Sequence, residues 1–136
     1  MPRVQVEKIH GPARRTVFKG LVAFNKQAVE KSGYSLLTVA LRDGKEIVGG
    51  LAGSIWLDWL SVDVLWIADK YRGKRHGTAL MKKAESEARK RGIRNVFLNS
   101  FSFQAPGFYQ KLGYREFGRL DNFPPGHHRS FLTKAL

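Results

Sequence analysis

No cysteine occurs among the 136 residues. That absence excludes a disulfide scaffold, a thiol nucleophile and cysteine-ligated metals, and it fits a reducing cytoplasm, the expected compartment. Acids are scarce as well. Eleven Asp and Glu stand against 24 Lys and Arg, a formal net charge of +13. Such a surface steers anions inward, polyphosphate cofactors and RNA alike. The longest uncharged stretch, Ile47 to Leu57, carries three glycines and falls far short of the roughly 20 residues that cross a bilayer. Met1-Pro2-Arg3-Val4-Gln5-Val6-Glu7 lacks the apolar centre of a signal peptide, so a soluble protein without a membrane partner is expected. Repeats, low-complexity tracts and a dividing linker are also missing. Residues 1–136 are therefore expected to form one domain around one core.

What is present reads as alternating elements. Val4 to Ile9 alternates and is expected as a first strand, and Ala13 to Lys31 has a helical rhythm closed by Ser32-Gly33. Tyr34 to Arg42 and Glu46 to Trp56 flank the hairpin signal Asp43-Gly44. Leu60 to Ala68 is the next strand. Gly77 to Arg91 is a helix with Leu80, Met81, Ala84 and Ala88 inward, Glu85–Arg89 and Glu87–Arg91 as (i, i+4) pairs, and Gly92 as its stop. Asn95 to Phe101 is a strand and Pro106 to Leu112 a short helix. Tyr114 to Leu120 and Ser130 to Leu136 can pair across Pro124-Pro125-Gly126. The fold class is thus α/β: a mixed, mostly antiparallel twisted sheet of about seven strands with flanking helices.

The most informative stretch runs from Leu65 to Leu80. An apolar strand leads into a turn with two glycines and the cations Lys70, Arg72, Lys74 and Arg75, and then into the long helix. Glycines let a backbone approach a ligand closely, and the first helical N–H groups have no intrahelical partner. With the helix dipole and the cations, this turn makes an anion cradle suited to a pyrophosphate. The plainer reading is a solvated strand-to-helix loop.

Together with Phe108-Tyr109-Gln110-Lys111-Leu112-Gly113-Tyr114, this stretch resembles the GNAT superfamily of acyl-CoA N-acyltransferases over nearly the whole chain. The family's Arg/Gln-x-x-Gly-x-Gly/Ala motif is matched at Arg72 and Gly77, with Gly73 beside it; the central glycine is Arg75. The second motif, Phe-Tyr-x-x-x-Gly-Phe/Tyr, is matched throughout. The resemblance implies acetyl-CoA as cosubstrate; on the residues themselves no metal is expected. Its pyrophosphate would lie on the backbone of Gly73, Lys74, Arg75, His76, Gly77 and Thr78, beside Arg72, and its pantetheine along Leu65, Trp66 and Ile67. Phe108 and Tyr109 would border it, and Ser102 stands where the family usually has a pantetheine-binding asparagine. The Leu65 N–H would face the acetyl oxygen, and such a donor is worth about 3 kcal/mol of barrier. Tyr109 would protonate the departing thiolate, a transfer uphill by only about 2 kcal/mol for an ordinary phenol. Its plainer reading is a core aromatic.

An amine acceptor arrives protonated, and shedding that proton at pH 7 costs about 4–5 kcal/mol. Asp63 lies within the Leu60–Ala68 strand, on the same face as Leu65 and Ile67 if alternation holds. It is the candidate base, with a salt bridge to a nearby arginine as the alternative. His127-His128 is a poor metal pair with no third ligand at suitable spacing. Trp56, Trp59 and Phe103 would line an acceptor pocket, or serve as core or homodimer contacts.

Three functions follow. The first is acetyl transfer from acetyl-CoA to a primary amine by direct attack in a ternary complex, which suits a chain without cysteine. The second is a basic RNA-associated protein, acetylating an aminoacyl-tRNA or binding without catalysis; the aromatic-rich motifs of common RNA-recognition folds are missing. The third is an acyl-CoA binder without turnover.

Overall fold

A computed structural model describes residues 1–29 and 33–136 of the chain. It divides into two compact units, Met1–Ser32 and Gly33–Leu136. In the first unit, helix α1 spans Ala13–Ala28, and the Thr16 N–H and hydroxyl both bond to the Pro12 carbonyl at its start. Residues 4–9 form no strand, although their apolar residues alternate. Alternation alone does not make a strand: a ladder needs a partner to take its N–H and C=O groups, and among the described residues this segment has none. Helix α1 stops at Ala28, short of the expected Lys31, with Val29 already extended; of the expected closure at Ser32-Gly33, Ser32 lies outside the described residues.

The second unit is a six-stranded sheet rather than one of seven, in the order β1-β2-β3-β4-β6-β5. Its strands are β1 (Ser35–Asp43), β2 (Glu46–Trp56), β3 (Trp59–Ile67), β4 (Asn95–Phe101), β5 (Arg115–Asp121) and β6 (His128–Ala135). Every neighbouring pair is antiparallel except β3·β4. That one parallel pair follows from the connection between them. Helix α2 (His76–Lys90) carries the chain back across the sheet, as a parallel crossover requires. Leu80, Met81, Ala84 and Ala88 of α2 are buried in one core with Leu37, Leu51, Leu60, Val62, Val96, Leu98 and Leu132 of the sheet.

Glu85 departs from the expected surface pairing with Arg89. It is buried, accepting from the Tyr114 hydroxyl at 2.8 Å and from Lys134 Nζ at 2.9 Å, and Lys134 also reaches the Leu112 carbonyl at 2.7 Å. A carboxylate taken out of water needs such partners, and they come from elements 29 and 49 residues further along the chain. Glu87–Arg91 does form as expected, at 3.2 Å. No helix among the described residues is long and apolar enough to cross a membrane.

Two irregularities shape the site. Strands β3 and β4 pair only from Trp59↔Asn95 to Val62↔Leu98; beyond that β3 stays with β2 and β4 with β6, so the sheet splits. At the same level Ala52 pairs with Val64 and Gly53 with Val62, leaving Asp63 as a bulge residue.

Candidate active site

The split opens into a cleft of about 980 Å³, walled by the end of β3, the turn into α2, the end of β4 and the start of α3 (Pro106–Lys111). The main chain of β3 presents an edge to it. The Ala68 N–H donates to the Val48 carbonyl at 2.8 Å, which fixes the phase of the ladder with β2. Val64 and Trp66 then exchange bonds with β2, while Leu65 and Ile67 turn their N–H and C=O groups toward the cleft. The Ile67 carbonyl is taken by Arg72 Nε at 2.8 Å, and Arg72 also pairs with Asp69 at 2.8 Å. The Leu65 N–H has no strand beside it.

One end of the cleft presents main-chain donors that an anion could use. The first intrahelical bond of α2 runs from the Ala79 N–H to the Arg75 carbonyl at 3.2 Å, so the N–H groups of His76, Gly77 and Thr78 lie ahead of the ladder. No side chain caps them and no acid stands in the first turn. Gly77 sits in tight quarters: a Cβ there would stand 3.2 Å from the Phe108 ring, which would have to shift by a few tenths of an ångström. Gly73, at φ 75°, turns the chain through the left-handed region. Arg75, the N-cap, also adopts that region, at φ 64° and ψ 19°, where a glycine would sit without strain. Tyr71 ties the turn down by donating to the Asp43 carboxylate across the β1–β2 hairpin.

At the other end, α3 brings Phe108 and Tyr109 into the wall, their rings 5.0 Å apart. Burial alone pushes the Tyr109 phenol above its ordinary range, so it stays protonated. Asp63 lies at the bulge, exposed, accepting from Ser61 Oγ at 2.6 Å. The bulge resets the alternation: Leu60 and Val62 before it and Leu65 and Ile67 after it all pack toward the core. Asp63 therefore does not share the face of Leu65 and Ile67, as strict alternation had implied. It pairs with no arginine among the described residues.

Of the residues singled out in the sequence, Asp63, Leu65, Trp66, Ile67, Arg72, Gly73, Arg75, His76, Gly77, Thr78, Phe108 and Tyr109 all line the cleft. Lys74 is exposed outside it. Ser102 is outside too, because the loop after β5 claims it: its hydroxyl meets His127 Nδ1 at 3.0 Å and accepts from the His128 N–H at 3.1 Å. The cleft is lined instead by Asn99 and Ser100, one turn of the chain earlier. Asn99 was findable, since alternation along β4 sets it opposite the buried Leu98 and Ser100. Trp56 and Trp59 sit at the β2–β3 turn, at the far end of β3, and only Phe103 of the three expected aromatics reaches the cleft. Among the described residues no group of three His, Asp or Glu is placed to hold a metal.

A model of the acetyltransferase (GNAT) family matches residues 7–114. The chain is 39% identical over 100 residues to blasticidin-S acetyltransferase of Streptomyces morookaense, covering 73% of this chain and 74% of that protein. It is 29% identical over 125 residues to an acetyltransferase of Agrobacterium fabrum, covering 91% of each. Its fold superimposes on the crystal structure of an acetyltransferase from Bacillus cereus with a TM-score of 0.89 and 29% identity, over 98% of both chains.

Proposed function

Because the chain belongs to the GNAT family of acetyltransferases, we propose that it moves an acetyl group from acetyl-CoA directly to the primary amine of a small acceptor within a ternary complex. The observation that carries this reading is the split between β3 and β4, with a main-chain edge leading to uncapped helical N–H groups. An extended pantetheine pairs with Leu65 and Ile67 as an added strand, and the diphosphate meets the N–H groups of the Gly73–Thr78 turn. Trp66 contributes through its place on the strand, Arg75 adds positive charge, His76 offers its main-chain N–H, and Phe108 packs beneath the turn. Lys74 and Ser102 carry no direct contact in this reading.

The amine nitrogen attacks the thioester carbonyl. A C–N bond forms, the C–S bond breaks, and the Leu65 N–H stabilises the oxyanion between them. The ammonium proton leaves to Asp63, directly or through water, and the thiolate takes its proton from Tyr109. A phenol raised by burial gives up that proton less readily than an ordinary one, and it is fully protonated when the thiolate departs. Products are an amide and free CoA. The likeness to blasticidin-S acetyltransferase supports a small-molecule acceptor of the kind that relative's name states. Residues 1–136 act as one catalytic domain in this scheme; the family match covers residues 7–114 of them. The nucleic-acid alternative is not favoured.

The test is a thermal shift with acetyl-CoA, followed by thiol release against a panel of amines. Acetyl-CoA raises the melting temperature, and Tyr109→Phe lowers turnover by about a hundredfold with acetyl-CoA affinity kept. Absence of any affinity for CoA or its thioesters refutes the reading, and full turnover by Tyr109→Phe refutes the assigned acid.

A further inference from the structure

A cluster on the cleft's far side from α2 bears on the acceptor. We infer that Asn99 and Phe103 select it, with Arg129 as a positioning residue, and that the acceptor is a primary amine on a planar body with a hydrogen-bond-accepting oxygen near the amine. The inference rests on the acetyl-transfer reading and names the substrate class which that reading leaves open.

Asn99 lies on β4 beyond its last pair with β3 and lines the cleft. Its Oδ1 accepts from Arg129 Nε at 2.8 Å. Arginine carries donors only, so the amide must turn its oxygen to the guanidinium. What Asn99 then has left to offer in the cleft is its NH2 group, a donor pair suited to a carbonyl or hydroxyl oxygen. Arg129 is itself clamped. Its guanidinium lies over Phe101 at 5.2 Å, Phe123 at 5.4 Å and Phe131 at 5.2 Å, and no carboxylate pairs with it among the described residues. A guanidinium held by three rings keeps one orientation, and Asn99 inherits it.

Phe103 supplies the flat surface. It lines the cleft yet is 56% exposed, although large aromatic rings are usually covered. One face stacks on Phe101 at 5.2 Å and 17°, and His127 stands edge-on to it at 5.2 Å and 81°. The ring is backed by the protein and open toward the cleft. Asp63, across the split, is the one carboxylate among the described residues that line the cleft. An acceptor that satisfies all three places its amine at Asp63, an oxygen at the Asn99 NH2 and its planar body on Phe103.

The experiment compares kcat/KM for phenylalaninamide (ring and carbonyl), phenethylamine (ring alone) and hexylamine (neither), with saturating acetyl-CoA. The wild-type protein is expected to fall by about tenfold at each step, the worth of one hydrogen bond or one stacked ring. N99D keeps an acceptor for Arg129 and deletes the donor pair. It abolishes the first step through acceptor KM, leaving the KM for acetyl-CoA unchanged. R129K moves the same ratio in the same direction, and F103A abolishes the second step. Wild-type ratios retained in N99D and F103A overturn the inference. So does failure to acetylate any of the three amines while acetyl-CoA still raises the melting temperature. Failure of acetyl-CoA to bind at all overturns the acetyl-transfer reading instead.

Discussion

Replacing Arg75 by glycine is expected to stabilise the protein and weaken its grip on acetyl-CoA at once. Arg75 caps α2 at φ 64° and ψ 19°, a region that costs an ordinary L-residue about 1–2 kcal/mol and glycine almost nothing. Against this gain, glycine adds unfolded-chain entropy that removes about 0.4–1 kcal/mol. The net is a stabilisation of about 0.5–1 kcal/mol, or roughly 2–4 °C in melting temperature for a chain of this size. The same change deletes an exposed cation at the anion end of the cleft. A solvent-screened charge of that kind is worth about 1 kcal/mol to a bound diphosphate, so the Kd for acetyl-CoA rises about fivefold. Opposite signs make the test sharp. Thermal melts without ligand give the first number, and the ligand concentration needed for a fixed shift gives the second. Arg75→Ala separates the two effects, because it keeps the backbone strain while losing the charge. A Gly variant that melts lower than the parent, or binds acetyl-CoA as tightly, refutes the strain argument or the charge argument respectively.

Lys134→Met strands the buried Glu85 carboxylate with only the Tyr114 hydroxyl, and urea denaturation is expected to show a loss of about 3 kcal/mol. Adding Glu85→Leu to that variant recovers most of the loss, and no recovery would refute the pairing. Alkaline pH is expected to destabilise the fold through Tyr109 and Tyr114. Burial raises both phenols, and for Tyr114 the hydrogen bond to Glu85 adds to it. The unfolded chain sheds its phenolic protons near pH ~10, while the native state still holds them. Stability is therefore fully present below that pH and falls as pH rises above it. The urea midpoint measured at pH 8, 10 and 11 should decline, and Tyr114→Phe should flatten the decline.

Much of this architecture was legible in the residues. The expected spans of α2 and of all six strands lie within a residue or two of the observed ones, and all but the edge strand β5 bury residues in a common core. The cleft's anion end was legible from Gly73, Arg75 and Gly77 beside a strand. Three things were not. The bulge at Asp63 inverts the alternation along β3; the glycines of the paired strand β2, Gly53 among them, hinted at an irregularity without placing it. Glu85 looked like a surface residue because its partners, Tyr114 and Lys134, are brought to it only by the closed sheet. Ser102 looked like a cleft residue because nothing local reveals that His127 and His128 fold back onto it. Each miss is a tertiary contact overriding a local pattern.

The fork between β3 and β4 bears also on how the protein avoids clumping. A bare row of peptide groups is a template for any extended chain nearby, and folds normally dress such margins with charge. Of the two edge strands, β5 follows that rule, with Arg115, Glu116, Arg119 and Asp121 along it. At Leu65 and Ile67 that dressing is partial, with Arg72 on the Ile67 carbonyl. Their safety comes from recess: the gap closes completely at Val62↔Leu98, so a strand from a second molecule would jam before it could register. The row is thus open from the wide mouth alone, where the two strands have parted, and a neighbouring β-strand finds no straight margin there to extend.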